Sequence, residues 1–143
     1  MANIVPFAFK GELASGTHNF SSGGDTFKIA LYTANPYTTS STTKVATSEV
    51  SSAGGSNYTA GGNTLTGQTV TATTATTAID FADTSWASAT FTAAFAAIYN
   101  TSASDKLVVV LDFGGNKTAT NGTFTISFPD PSTPSNAIIS ITS

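Results

Sequence analysis

The 143-residue sequence contains no cysteine, no arginine and few charged residues of either sign. The absence of cysteine excludes disulfides and thiolate metal sites. Charged residues make up 9% of the sequence, against about 25% in an average soluble protein. A nucleic-acid-binding protein normally carries a basic patch, but here five lysines accompany a net charge of −3. We therefore expect no nucleic-acid partner.

Long hydrophobic runs are also missing. No stretch approaches the roughly 20 consecutive apolar residues that a membrane-spanning helix needs. The apolar residues 4–9 are too few for a secretory signal and follow no basic residue. We therefore expect no membrane partner and identify no targeting segment.

The pattern that is present is that of a β protein, and its clearest part is a hairpin over residues 89–113. In an extended first arm, five residues share one face, because successive side chains alternate sides: Phe91, Ala93, Phe95, Ala97 and Tyr99. The second arm, residues 106–113, is apolar on both faces and rich in valine, which is typical of a strand buried on both sides. A helix is the alternative for the alanine-rich first arm, but the period-2 aromatic residues favour a strand.

Further short segments alternate polar and apolar residues, with Gly, Asn and Pro between them. The predicted strands are residues 26–33, 45–50, 64–74, 77–82, 122–128 and 136–142, with a turn at residues 114–116. With the hairpin, this gives about eight strands and no helix long enough for a βαβ unit. The fold class is therefore all-β, an antiparallel β-sandwich or jelly-roll-like domain. Its predicted core is Phe27, Ile29, Leu31, Phe91, Phe95, Val108, Val110, Phe124, Ile126, Phe128 and Ile139.

The chain divides into an N-terminal arm, residues 1–14, and a single β-sandwich domain, residues 15–143. Large apolar side chains are concentrated in the arm before any clear strand, and they are candidate interface residues: Ile4, Val5, Phe7 and Phe9. Pro6 argues against a central strand there. Either the arm covers the domain's own core, or it docks on a neighbouring subunit or a larger surface. If it docks, deleting residues 1–9 should spare the fold.

No catalytic, cofactor-binding or metal site emerges from the motifs, so we expect no cofactor and no enzymatic activity. The single histidine, His18, lies in a polar stretch and is predicted to be a solvent-exposed loop residue. Asp80 and Asp83 flank Phe81, but the aspartate pattern of a calcium-binding loop is absent, and strand-end capping is the expected role. A small hydrolase with a glycosidase-type carboxylate pair is the alternative, and it requires two carboxylates at a defined separation. Tyr58, Trp86 and Tyr99 are either core residues or a sugar-binding platform.

Several motifs resemble a known family in the same order along the chain. The segments 9–13 and 15–20, FKGEL and SGTHNF, resemble the opening of small virion proteins of tailed bacteriophages, especially cyanophages. The segments 25–33, 58–65, 80–86 and 97–100 are similar to later motifs: DTFKIALYT, YTAGGNTL, DFADTSW and AIYN. So are residues 110–114, 124–129 and 138–141: VLDFG, FTISFP and IISI.

The resemblance implies a non-enzymatic structural protein of the virion, with no catalytic residues to transfer. A small β domain in many copies looks most like a capsid decoration or cement protein that binds the major capsid protein on the head surface. The alternative is a tail or fibre-associated structural or adhesion module. The low-charge exterior also favours a homo-oligomer, because few charges need to be desolvated between subunits. A trimer would suit the threefold positions of an icosahedral shell.

Overall fold

The computed structural model describes residues 3–130, 132–133 and 136–142. It confirms the all-β class. The described residues include one short α-helix, α1 (Phe7–Ala14), a 3₁₀ turn (Thr101–Ala103) and seven strands. The strands are β1 (Phe27–Tyr32), β2 (Asn63–Thr64), β3 (Thr69–Ala72), β4 (Thr76–Asp80), β5 (Thr84–Asn100), β6 (Lys106–Ile126) and β7 (Ile139–Thr142).

The strands form two antiparallel sheets. The larger sheet has the order β2-β1-β5-β6, and the smaller one has the order β3-β4-β7. The predicted central hairpin is the long β5–β6 pair, and β1 lies antiparallel against the other side of β5. Asn100 caps the connecting 3₁₀ turn by accepting from the backbone N–H of Ser102. Ser104 and Asp105 close the turn with positive φ angles.

The second arm of the hairpin continues through the predicted turn at residues 114–116. Ala93 pairs with Lys117 and Phe95 with Asp112, so β6 bulges outward between them instead of ending. Gly114 has a φ angle of +70°, a conformation that glycine adopts without strain. The predicted strand over residues 122–128 is therefore the far end of β6.

The register shift between Ala93 and Phe95 also corrects the predicted single face of β5. Phe91 and Ala93 pack in the main core, whereas Phe95, Ala97 and Tyr99 pack on the opposite side of the sheet. A bulge reverses the alternation of side chains, and no local pattern in the sequence marks it. The predicted strand at residues 45–50 is also absent; only Glu49 bridges β1, at Tyr32.

The larger sheet is covered on both faces. The main core lies between the two sheets and includes most of the predicted core residues, together with Phe9, Phe20, Phe81 and Trp86. A second cluster on the outer face contains Tyr32, Tyr37, Ala97, Tyr99, Leu107 and Val110, with Ile4 packed against it. Of the predicted core, Phe95 and Phe128 are only half-buried.

Buried polar contacts hold the long loop between β1 and β2 on this outer face. The carboxylate of Glu49 accepts hydrogen bonds from Lys44, from the hydroxyl of Tyr58 and from the backbone N–H of Gly61. Tyr37 donates to the hydroxyl of Tyr32, which donates to the carbonyl of Val45. Each donor in this group of contacts has an acceptor, so the loop is fixed without regular structure.

These contacts predict an unusual alkaline titration. Burial raises the pKa of all four tyrosines above the ordinary value of 10.0, and it raises the pKa of Tyr99 to about 12. Because the fold favours the protonated phenols, the stability they contribute is complete below about pH 10 and is lost as the pH rises through the folded pKa values.

We therefore expect the tyrosinate absorbance to stay flat at pH 10–11 and to rise together with the loss of the circular dichroism signal. The measurement is a spectrophotometric titration, with the urea-unfolded chain as its reference. A gradual rise centred on pH 10 while the circular dichroism is unchanged would contradict the buried tyrosine contacts.

Candidate interaction surface

His18 is buried rather than exposed, which makes the prediction from its polar surroundings wrong. Its side chain has no solvent-accessible surface, and its ring packs against those of Phe9 and Phe20. His18 Nε2 lies 3.0 Å from Glu12 Oε2, and His18 Nδ1 lies 2.9 Å from Asn100 Nδ2. The polar stretch that carries it folds inward because these partners lie within the domain.

The hydrogen bonds define the tautomer of His18. Asn100 Oδ1 accepts from the backbone of Ser102, so its Nδ2 is the donor to His18 Nδ1 and, at 2.7 Å, to Asp25 Oδ2. The proton of the neutral imidazole therefore lies on Nε2, where it is donated to the carboxylate of Glu12.

Glu12 joins this network to the start of β6. Lys106 Nζ donates to Glu12 Oε1, so the carboxylate is bonded through both of its oxygens. Burial alone would raise the pKa of Glu12, but the hydrogen bonds from Lys106 and His18 outweigh it, and the pKa lies below 4.5. The network therefore fastens α1 to the closed end of the β5–β6 hairpin, and its histidine is out of reach of a substrate.

The two carboxylates at the end of β4 have different surroundings. Asp80 is buried, and burial raises the pKa of its carboxyl, with a further contribution from the charges of Asp83 and Asp130. Asp83 caps the far end of the hairpin by accepting from the backbone N–H of Phe128 at 2.8 Å. No group of three metal-ligating side chains converges in the described residues.

The three aromatic residues considered for a sugar platform are core residues. Tyr58 and Trp86 pack together with Phe91 in the main core, and Tyr99 donates from the outer face to the carbonyl of Gly61. None of the three is more than 4% exposed. An accessible aromatic platform is therefore not built from them.

The candidate interface residues of the arm have different positions. Phe9 is 1% exposed in the main core, so its ring is not available to a partner. Ile4 is half-buried and pairs with Val110 through two backbone hydrogen bonds. Val5 is 38% exposed and Phe7 is 65% exposed. Phe7 and Val5 thus form the outward-facing part of the arm.

A concave surface lined by both apolar and polar residues lies farther along β6, and we call it the trough. Its larger part has a volume of about 510 Å³ and its smaller part about 320 Å³, and both parts are lined by Phe113, Ile126 and Ser127. In the described part of the chain, Thr43 and Ile4 bridge the outer edge of β6 at Lys106 and Val110, and no strand pairs with this edge beyond them. The trough begins at Leu111, directly after the part of the β6 edge that Thr43 and Ile4 cover.

Charged residues flank both the outward-facing part of the arm and the trough. Lys10 lies over the ring of Phe7, with its Nζ 5.6 Å from the ring centroid. At one end of the trough, the exposed carboxylates of Asp83 and Asp130 flank its lining residues Phe128 and Pro129. The amine of Lys117 lines the opposite end.

Sequence reasoning missed the trough and the polar network for different reasons. The trough depends on the bulge at residues 113–116, which exposes Phe113 beside Ile126. The network joins Glu12, His18, Asp25, Asn100 and Lys106, which are far apart in the chain. No local pattern marks the contact between His18 and Asn100, which lie 82 positions apart in the sequence.

Comparisons with known proteins add no relative to this description. No family model, curated protein or solved structure matches the chain. Among the described residues, no helix is long and apolar enough to cross a membrane.

Proposed function

We propose that this chain is a non-enzymatic structural protein of a tailed-phage virion, most specifically a capsid decoration protein that binds the major capsid protein on the head. The observation that carries the proposal is an exposed apolar patch on a fixed support. Phe7 is 65% exposed and lies beside Val5 on an arm that cannot swing freely. Exposed apolar patches of this kind mark contact surfaces.

The support is rigid because three kinds of contact hold the arm. Phe9 inserts into the main core, Ile4 pairs with the edge of β6, and Glu12 is bonded to both Lys106 and His18. A preorganised surface loses little conformational entropy on binding, which favours a permanent attachment. The order of motifs similar to small phage virion proteins supports the particle as its setting.

The low charge of the chain also supports a place within a large assembly. With charged residues at 9%, little charge needs to be desolvated where subunits meet, and homo-oligomers on the threefold positions of a shell are the arrangement that we propose. A trimer would present three copies of the domain to the shell, which multiplies a weak contact by avidity.

Cryo-electron microscopy of the phage whose genome encodes this chain is the direct test. We expect density for this domain in many copies at equivalent positions over the head. Density confined to the tail or its fibres would overturn the decoration role, and so would absence from the purified particle.

A further inference from the structure

The outward-facing arm and the trough are different surfaces of one chain, and they match in chemistry. We propose that a second copy of this chain fills the trough, with Phe7 and Lys10 of one copy seated against Phe113, Ile126 and the acidic end of the next. This inference names the partner in the homo-oligomer part of the proposed function. It does not depend on the capsid part.

The exposed ring of Phe7 and the apolar residues that line the trough are the first pair of matching features. Phe7 is the most exposed of the large apolar residues in the described chain. The larger part of the trough, at about 510 Å³, has room for such a ring, and its lining combines the half-buried Phe113, the edges of Phe124 and Ile126, and several threonines. Removing apolar surface from water is favourable, so an uncovered ring and an uncovered trough both favour contact.

The charges define the orientation of the contact. Lys10 is exposed, and no ion pair between described residues involves it. Asp112 lines the smaller part of the trough, and Asp83 and Asp130 lie next to its lining residues Phe128 and Pro129, whereas Lys117 lines the larger part. With Phe7 in the trough, Lys10 is attracted to the acidic end and repelled from the basic end, which favours one of the two directions.

The symmetry of the assembly follows from the use of two different patches. When a projecting side chain of one copy fills a groove elsewhere on the next copy, the contact is head-to-tail, and a ring results if the rotation closes. Each copy in such a ring uses its arm once and its trough once. A trimer is one closed form of this contact.

The central experiment uses two variants of the full chain, each blocked on one surface. Phe7→Ser removes the projecting ring, and Ser127→Lys places a long cation in the trough at an exposed position. We expect each variant alone to lose at least about 30-fold in self-association affinity, because buried aromatic residues at contact centres dominate binding. Circular dichroism and the melting temperature check that both variants fold.

Mixing the two variants gives the decisive result. The Ser127→Lys copy still has its arm and the Phe7→Ser copy still has its trough, so sedimentation velocity should show a one-to-one complex. Failure of the mixed variants to associate would overturn the inference. It would also be overturned by wild-type protein that stays monomeric at high concentration, or by Phe7→Ser protein that associates normally.

A charge reversal tests the orientation separately. Lys10→Glu should weaken self-association about two- to fivefold, and adding Asp130→Lys should restore it, as expected for an exposed pair. Lys28→Glu, on β1 away from both surfaces, is the matched control and should leave association unchanged. If the double variant is no tighter than Lys10→Glu alone, the proposed orientation is wrong.

These measurements separate the inference from the capsid role. They use purified protein without a shell, so they report only the contact between copies. Monomeric protein that is nevertheless found over the whole head would overturn the arm-in-trough contact and leave the decoration role intact.

Discussion

Replacing Phe9 by alanine should lower the free energy of unfolding by about 3–5 kcal/mol, whereas Phe7→Ala should change it by less than about 0.5 kcal/mol. The two phenylalanines are separated by one residue on α1. Phe9 is 1% exposed and packs against His18 and Phe20, so its removal leaves a cavity in the core. Phe7 is 65% exposed and leaves no cavity.

Urea denaturation of the two variants at dilute concentration, where the chain is monomeric, measures both effects with the same instrument and baseline. Phe7→Ala serves as the matched control, since it makes the same chemical change on the same helix. Equal losses in the two variants would contradict the assignment of one ring to the core and one to the surface. Deleting residues 1–9 is therefore expected to destabilise the fold rather than to spare it, because the deletion removes Phe9 from the core.

The reason the sequence could not separate these two residues is geometric. In a strand, residues i and i+2 share a face, but in a helix they lie about 200° apart around the axis. The arm is too short to show a helical period, and its apolar residues are nearly consecutive. Sequence reasoning therefore identified the apolar arm but treated Phe7 and Phe9 as equivalent.

The long hairpin and β1 were predictable because their signal is local. Residues 107–111 and the alternation of Phe27, Ile29 and Leu31 require burial whatever the rest of the chain does. The bulges were not predictable, because they depend on how β6 fits β5 after the core has formed. His18 likewise needed Asn100 and Glu12, whose contacts exist only in the folded chain.

Glycine positions offer a second large and separable effect. Gly62 is buried beside β1 and has a φ angle of +73°, and an added Cβ would lie 1.8 Å from the carbonyl oxygen of Ile29. Gly54 has a similar φ angle of +68°, but a Cβ there would meet nothing within 4 Å. The two sites thus share a backbone conformation and differ in the space around them.

Gly62→Ala is expected to lower the free energy of unfolding by about 3–5 kcal/mol, and Gly54→Ala by about 1–2 kcal/mol. The left-handed backbone costs alanine the same at both sites, so the difference measures the clash with β1. That clash can be relieved only by moving β2 away from β1, which would break the pairing of Asn63 with Ile29. Thermal and urea unfolding of the two variants give the comparison. If both substitutions cost the same, Gly62 cannot lie as close to the backbone of β1 as this fold requires.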